Sequence, residues 1–181
     1  MIFNKKEIVL KNGQVCLLRS PEPCDAVPMI DYIKTCSGET EFLLSYPEEI
    51  TFTPEQEESF LNGIIVSDNA MMIVAFVGGE IAGNCQISFN GRLKTSHRAS
   101  VAIALKQKYW GNGIGTALFS ELTAAAKERG VVQMELDFIE GNSRARGLYE
   151  KSGFRICGVK PNAIRLKDGR LVNEYSMIKE I

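Results

Sequence analysis

Residues 101–122 read VAIALKQKYWGNGIGTALFSEL, and the reading of this stretch decides the fold. Val101, Ile103 and Leu105 alternate with small Ala102 and Ala104, the period-two pattern of a strand. Gly111, Gly113 and Gly115 follow, with only Asn112 and Ile114 between them. Ile114, Ala117, Leu118, Leu122 and Ala125 then fall at helical spacing, and Gly130 is placed to end that helix. A strand that runs through glycines into a helix N-terminus makes an anion site. The first N–H groups of a helix lack internal partners, and the macrodipole favours negative charge there. Glycine lets a phosphate approach the backbone closely. The stretch therefore predicts a phosphate or pyrophosphate cradle. The same glycines would also serve a tight strand-to-helix turn that holds no ligand.

Spacing narrows the ligand. A P-loop needs GxxxxGK[ST], and neither Lys-Ser nor Lys-Thr follows these glycines. A Rossmann fingerprint needs GxGxxG, which from Gly111 would require glycine where Thr116 stands. The pattern present is GxGxG, preceded directly by Trp110.

Outward from this stretch, the 181 residues suit a single domain with a proper core. A net charge of −1 implies no bulk attraction to nucleic acid. No apolar run reaches the ~20 residues that span a bilayer, and MIFNKKEIVLKNG has no signal-peptide core. Five scattered cysteines without a CxxC pair point to reduced thiols in a cytoplasmic protein, not to a disulfide framework or a zinc cluster. His97 is the only histidine, so no histidine-rich metal site is expected.

In chain order, residues 8–10 and 14–19 read as a hairpin about Asn12-Gly13. Residues 25–37 read as a helix that stops at Ser37-Gly38, and 39–53 as loop with some helix. Thr53-Pro54-Glu55-Gln56 opens a second helix to about Val66, with a capping residue, then Pro, then acid in the first turn. Residues 70–77, 80–89 and 97–106 form a meander of strands leading into the glycine turn. After the helix over 114–129 come a strand at 131–138, a short helix over 142–152, and strands at 154–166 and 171–178. The expected class is α/β (α+β), a three-layer domain with a mixed, mostly antiparallel sheet of about seven strands flanked by about four helices, without regular βαβ alternation.

A second motif, GNSRARGLYEKSGF at 141–154, sets Asn142, Ala145 and Tyr149 on one helix face. That face could line a cleft; Asn142 could equally be only a cap and Tyr149 only a core aromatic. Together, VAIALKQKYWGNGIGTAL and EGNSRARGLYEKSGF resemble the GNAT superfamily of acyl-CoA-dependent N-acyltransferases. The two motifs cover Val101 to Phe154, and the order of elements resembles that family along most of the chain.

The resemblance implies acetyl-CoA as co-substrate, with no metal. It implies that backbone amides from Trp110 through Gly111, Asn112, Gly113, Ile114 and Gly115 to Thr116 hold the coenzyme pyrophosphate. It implies that Ile103 and Leu105 pair with the pantetheine amides, that Asn142 touches the pantetheine arm, and that Tyr149 is the general acid at the thioester sulfur. The family pattern is (Arg/Gln)-x-x-Gly-x-(Gly/Ala), and this chain carries Trp110 at its first position. Lys106 and Lys108 could add charge near the adenosine phosphates, or be solvated surface lysines. A homodimer is compatible with the resemblance.

Acyl transfer to an amine needs a base for the amine, donors for the developing oxyanion and an acid for the thiolate. His97, Glu80, Glu135 and Asp137 are candidate bases. From Thr35 to Gly91 there is no Lys or Arg, while nine acidic residues lie there. This acidic wall, with Glu41, Phe42, Glu80 and His97 as candidate acceptor contacts, would draw a cationic amine such as a polyamine, an aminoglycoside or a peptide N-terminus. A solvated acidic face explains the same composition. The chemistry expected is N-acetyl transfer to a small-molecule or peptide amine in a ternary complex. The competing readings are an acyl-CoA-binding sensor without turnover, and a nucleotide-binding domain.

Overall fold

A computed structural model describes all 181 residues. Eight strands form one sheet in the order β1-β2-β3-β4-β5-β6-β8-β7. The strands are β1 (Lys6–Val9), β2 (Val15–Arg19), β3 (Ala70–Val77), β4 (Glu80–Phe89), β5 (Arg98–Leu105), β6 (Gln133–Ile139), β7 (Arg155–Arg165) and β8 (Leu171–Glu180). Four helices accompany them: α1 (Ala26–Glu39), α2 (Pro54–Val66), α3 (Ile114–Glu128) and α4 (Ser143–Lys151). Every neighbouring pair is antiparallel except β5 and β6. The eight strands correspond to the eight strand segments read from the sequence, against the summary figure of about seven, and the mixed, mostly antiparallel three-layer plan holds.

β3 shows why there are three layers. Its residues are apolar almost without interruption, as a strand covered on both faces must be. Met71, Ile73, Ala75 and Val77 pack into a core with Leu118, Phe119 and Leu122 of α3. Ala70, Met72 and Val74 join Met29, Tyr32 and Cys36 of α1 and Leu61 and Ile64 of α2 on the other face. Strand alternation alone sorts the two sets.

The α2 start is built as its sequence signals. The Gln56 amide donates to the Thr53 hydroxyl at 3.4 Å, the Gln56 side chain accepts from the Thr53 amide at 2.8 Å, and Pro54 occupies the first turn. α1 differs from expectation: it runs through Gly38 to Glu39 rather than stopping at Ser37-Gly38. Its last residue is held from afar, because the Glu39 carboxylate accepts from the Gln107 amide at 2.7 Å. The loop beyond contains one 3₁₀ turn, Pro47–Glu49. No helix is long and apolar enough to cross a membrane.

Candidate active site

β5 and β6 are parallel neighbours only at Arg98–Gln133, Ala99–Met134 and Ser100–Glu135. Beyond Ser100 they part. β4 stays paired with β5 as far as Gly83–Leu105, and β8 stays paired with β6 as far as Ile139–Glu174. The edge of β5 facing β6 is therefore left open from Val101 to Leu105, and these residues line a cavity of about 540 Å³. Unpaired strand edges are ready hydrogen-bonding partners for an extended chain.

The glycine turn closes one end. Gly111 (φ 78°) and Gly113 (φ 98°) adopt left-handed conformations that a side chain would strain. Gly113 is the N-cap of α3, and the first backbone bond of that helix runs from the Ala117 amide to the Gly113 carbonyl at 3.1 Å. The amides of Ile114, Gly115 and Thr116 thus have no partner within the helix, and all three residues lie on the cavity wall. At Gly115 a Cβ would come within 2.8 Å of Leu148 Cδ2, so glycine there lets α4 approach the turn.

Trp110 and Gly111 are on the wall too. Asn112 is not. Its side chain donates to the Tyr109 carbonyl at 3.3 Å, and its own carbonyl accepts from the Lys11 amide at 3.1 Å. It braces the turn from outside and ties it to the β1–β2 loop.

α4 supplies another wall. The Asn142 side chain caps the helix by accepting from the Ala145 amide at 3.1 Å, and the residue also faces the cavity. The two roles that the sequence left as alternatives are both filled. Tyr149 packs edge-on to Phe119, with ring centres 5.6 Å apart, and tilts against Phe138 at 6.1 Å. Burial pushes its phenol up to about 12. The hydroxyl has no protein partner and keeps solvent access on the cavity side.

The acceptor contacts expected from the sequence fare unevenly. Phe42 lines the cavity and crosses to Gly141, whose Cβ position lies 3.5 Å from the ring, so the α1–α2 loop roofs the cleft. Glu41 is outside, 3.5 Å from Arg170. Glu80 is also outside, bound to Lys106 at 2.7 Å, Lys108 at 2.6 Å and the Tyr109 hydroxyl at 3.1 Å. Lys106 and then Lys108 hold its carboxyl down at about 2. These two lysines are therefore ion-paired, and neither lies on the cavity wall.

His97 is exposed at the end of β5 that is still joined to β6, away from the cavity. Glu135 lies at that same end, 2.8 Å from Arg98. Of the four candidate bases only Asp137 is on the wall, where it accepts from the Ser176 hydroxyl at 2.5 Å.

The acidic wall is neutralised in part: Glu41, Glu48 and Glu80, three of its nine acids, meet cations. The β7–β8 turn brings Lys167 into an ion pair with Glu48 and Arg170 to Glu41. The Lys167 amide donates to the Tyr46 hydroxyl at 2.9 Å, and its ammonium sits 4.2 Å from that ring. Glu39 is engaged by Gln107, and Glu49 accepts from the Tyr46 amide in its own turn at 2.7 Å. Composition along 35–91 could not reveal cations arriving from residues 167 and 170.

Sequence reasoning passed over Lys11, Tyr109, Phe138 and Arg144, all on the wall. Arg144 carried a signal. It stands in the first turn of α4, where a cation opposes the macrodipole, and no acidic residue accompanies it there. No group of three or more His, Cys, Asp or Glu side chains is placed to hold a metal ion.

The model of the acetyltransferase (GNAT) family matches residues 37–154. The solved structure of a GNAT-family acetyltransferase from Streptococcus pneumoniae superposes with a TM-score of 0.85 at 32% identity, over 92% of this chain and 99% of that one. The ribosomal protein bS18-alanine N-acetyltransferase of Escherichia coli K12 is 29% identical over 122 residues, 67% of this chain and 73% of its own. The yncA structure of Salmonella typhimurium, determined with its cofactor acetyl-CoA, shares the fold at a TM-score of 0.77 and 15% identity, over 91% and 93% of the two chains.

Proposed function

Since this chain belongs to the GNAT acetyltransferase family, we propose that it moves an acetyl group from acetyl-CoA to a primary amine by direct attack in a ternary complex. The observation that carries the proposal is the parting of β5 from β6 beside a glycine turn whose first helical amides face the same cavity. An extended pantetheine arm suits the open edge of β5, with Ile103 and Leu105 as its backbone partners. A pyrophosphate suits the amides of Ile114, Gly115 and Thr116. Trp110, Gly111 and Gly113 shape that cradle, Asn142 flanks the arm, and Asn112 supports the turn.

The thioester then falls near Tyr149 and Asp137, which come from α4 and β6 on the same cavity. Asp137 takes a proton from the attacking ammonium, directly or through water. The amine nitrogen forms its bond to the acetyl carbon while β5 amides stabilise the oxyanion. The carbon–sulfur bond breaks, Tyr149 gives its proton to the departing thiolate, and the second proton of the acylated nitrogen returns through water to the Tyr149 phenolate. A phenol near 12 is a weak acid beside a free thiol of pKa ~8.5. Burial raises a thiol held against the phenol in the same direction, which narrows the gap between donor and acceptor.

The acceptor end is bounded by Thr40, Phe42, Leu43 and Leu44 with Asp137 and Glu39 as the acids on the wall, the Glu39 carboxylate already accepting from the Gln107 amide. It suits an amine carrying one positive charge and an apolar neighbour, as a peptide N-terminus or an amino acid does. With Glu41 and Glu48 ion-paired, a polyamine or aminoglycoside loses part of the attraction that composition suggested. A thiol-release assay with acetyl-CoA against a panel of peptides, amino acids and polyamines tests the proposal. Tight coenzyme binding with no turnover on any amine would favour the sensor reading.

A further inference from the structure

We infer that Arg144, seated on the ring of Trp110, is a phosphate-binding residue for the coenzyme. The inference rests on the acetyl-CoA reading above and assigns a side chain that the two motifs leave without a role. The Arg144 guanidinium lies 4.9 Å from the centre of the Trp110 ring. That ring is itself fixed, because its indole N–H donates to the Leu105 carbonyl at 2.8 Å, at the end of the open strand edge. A guanidinium stacked on an aromatic face keeps its N–H fork free in its own plane, and that fork matches a phosphate.

The surroundings leave Arg144 little else to do. It belongs to no ion pair. Glu150, the acid on its own helix, is bound to Arg146 at 2.8 Å. In the first turn of α4 its charge is opposed by the helix dipole, and no acidic residue offsets this. A local rule broken in this way, on a cavity wall, marks a functional position.

The supply of cations points to the same residue. Lys106 and Lys108, the basic residues nearest the glycine turn in sequence, both hold Glu80 and lie off the cavity wall. The basic residues on the cavity wall are Lys11 and Arg144, and the Lys11 amide is tied to the glycine turn through the Asn112 carbonyl. Trp110, which departs from the arginine or glutamine of the family pattern, thus holds an arginine that comes from the other motif.

Trp110 is the only tryptophan, so its emission reports occupancy of this place directly. The test titrates wild type, Arg144→Gln and Arg144→Lys with CoA and with 3′-dephospho-CoA, at low and high salt, after thermal melts establish that the variants are folded. The expected result is a CoA Kd raised about tenfold or more in Arg144→Gln, an intermediate value in Arg144→Lys, and a shallower salt dependence in Arg144→Gln. A matching loss with 3′-dephospho-CoA identifies the pyrophosphate as the partner, and a loss confined to CoA identifies the 3′-phosphate. A folded Arg144→Gln protein that binds CoA as wild type does overturns the inference. Wild type that binds no CoA overturns instead the coenzyme reading beneath it.

Discussion

The Tyr32 hydroxyl, carried by α1, donates to the Ala104 carbonyl at 2.8 Å in β5. It also accepts from the Asn84 amide at 3.2 Å, so a buried phenol replaces a rung of the β4–β5 ladder opposite the cavity. Burial raises this phenol well above its usual range, so it stays a donor at any working pH. It fixes the strand whose other edge is open. Tyr32→Phe strands a buried amide and a carbonyl, which costs about 1–3 kcal/mol. Urea unfolding should show that loss, and KM for acetyl-CoA should rise with kcat little changed.

Tyr149→Phe keeps the ring that packs against Phe119 and Phe138 and removes only the hydroxyl. The expected outcome is kcat reduced about 10²–10⁴-fold with coenzyme affinity retained, read by steady-state kinetics beside a CoA titration. With the wild-type phenol at about 12, its own ionisation imposes no fall in rate below pH 10.

Asp137→Asn should lower kcat/KM for the amine about 10²-fold near neutral pH. The deficit should shrink as pH rises, since the free amine then no longer needs a base. A pH–rate comparison of the two proteins measures this, and a deficit of constant size would remove Asp137 from the reaction.

Glu80→Gln breaks the clasp with Lys106, Lys108 and the Tyr109 hydroxyl. The folded carboxyl titrates near 2 against 4.5 for an unperturbed one, so the folded protein takes up this proton later than the unfolded chain. The stabilisation is whole above about 4.5, declines as pH falls, and is gone below about 2. Acid titrations of unfolding free energy should show wild type and Glu80→Gln converging through that window. Because Glu80 is well exposed, added salt should narrow the gap at neutral pH.

Much of this molecule was legible one segment at a time. A continuous apolar run identified β3, alternation identified β5, helical spacing identified α3, and Thr53-Pro54 with Gln56 marked the start of α2. The glycine turn and the Asn142–Tyr149 face were readable because their geometry is set within a few residues: Gly113 must turn left-handed, and positions i, i+3 and i+7 share a side. The ion pairs of Glu80, Glu41 and Glu48 were not legible, for the opposite reason. Their partners lie far along the chain, and a carboxylate carries no local mark of whether it will meet a lysine or water.

By itself, then, the sequence determined the order of elements, the glycine turn and the residue types that surround it. These follow from backbone conformation and side-chain periodicity, which are short-range properties. The tertiary structure alone decided that β5 and β6 part after Ser100, that Glu80 captures both lysines, and that the acidic loop is met by Lys167 and Arg170. It also decided that Arg144 rests on Trp110. Which charges remain free in a cleft depends on how separate layers pack, and packing is settled by the whole chain at once.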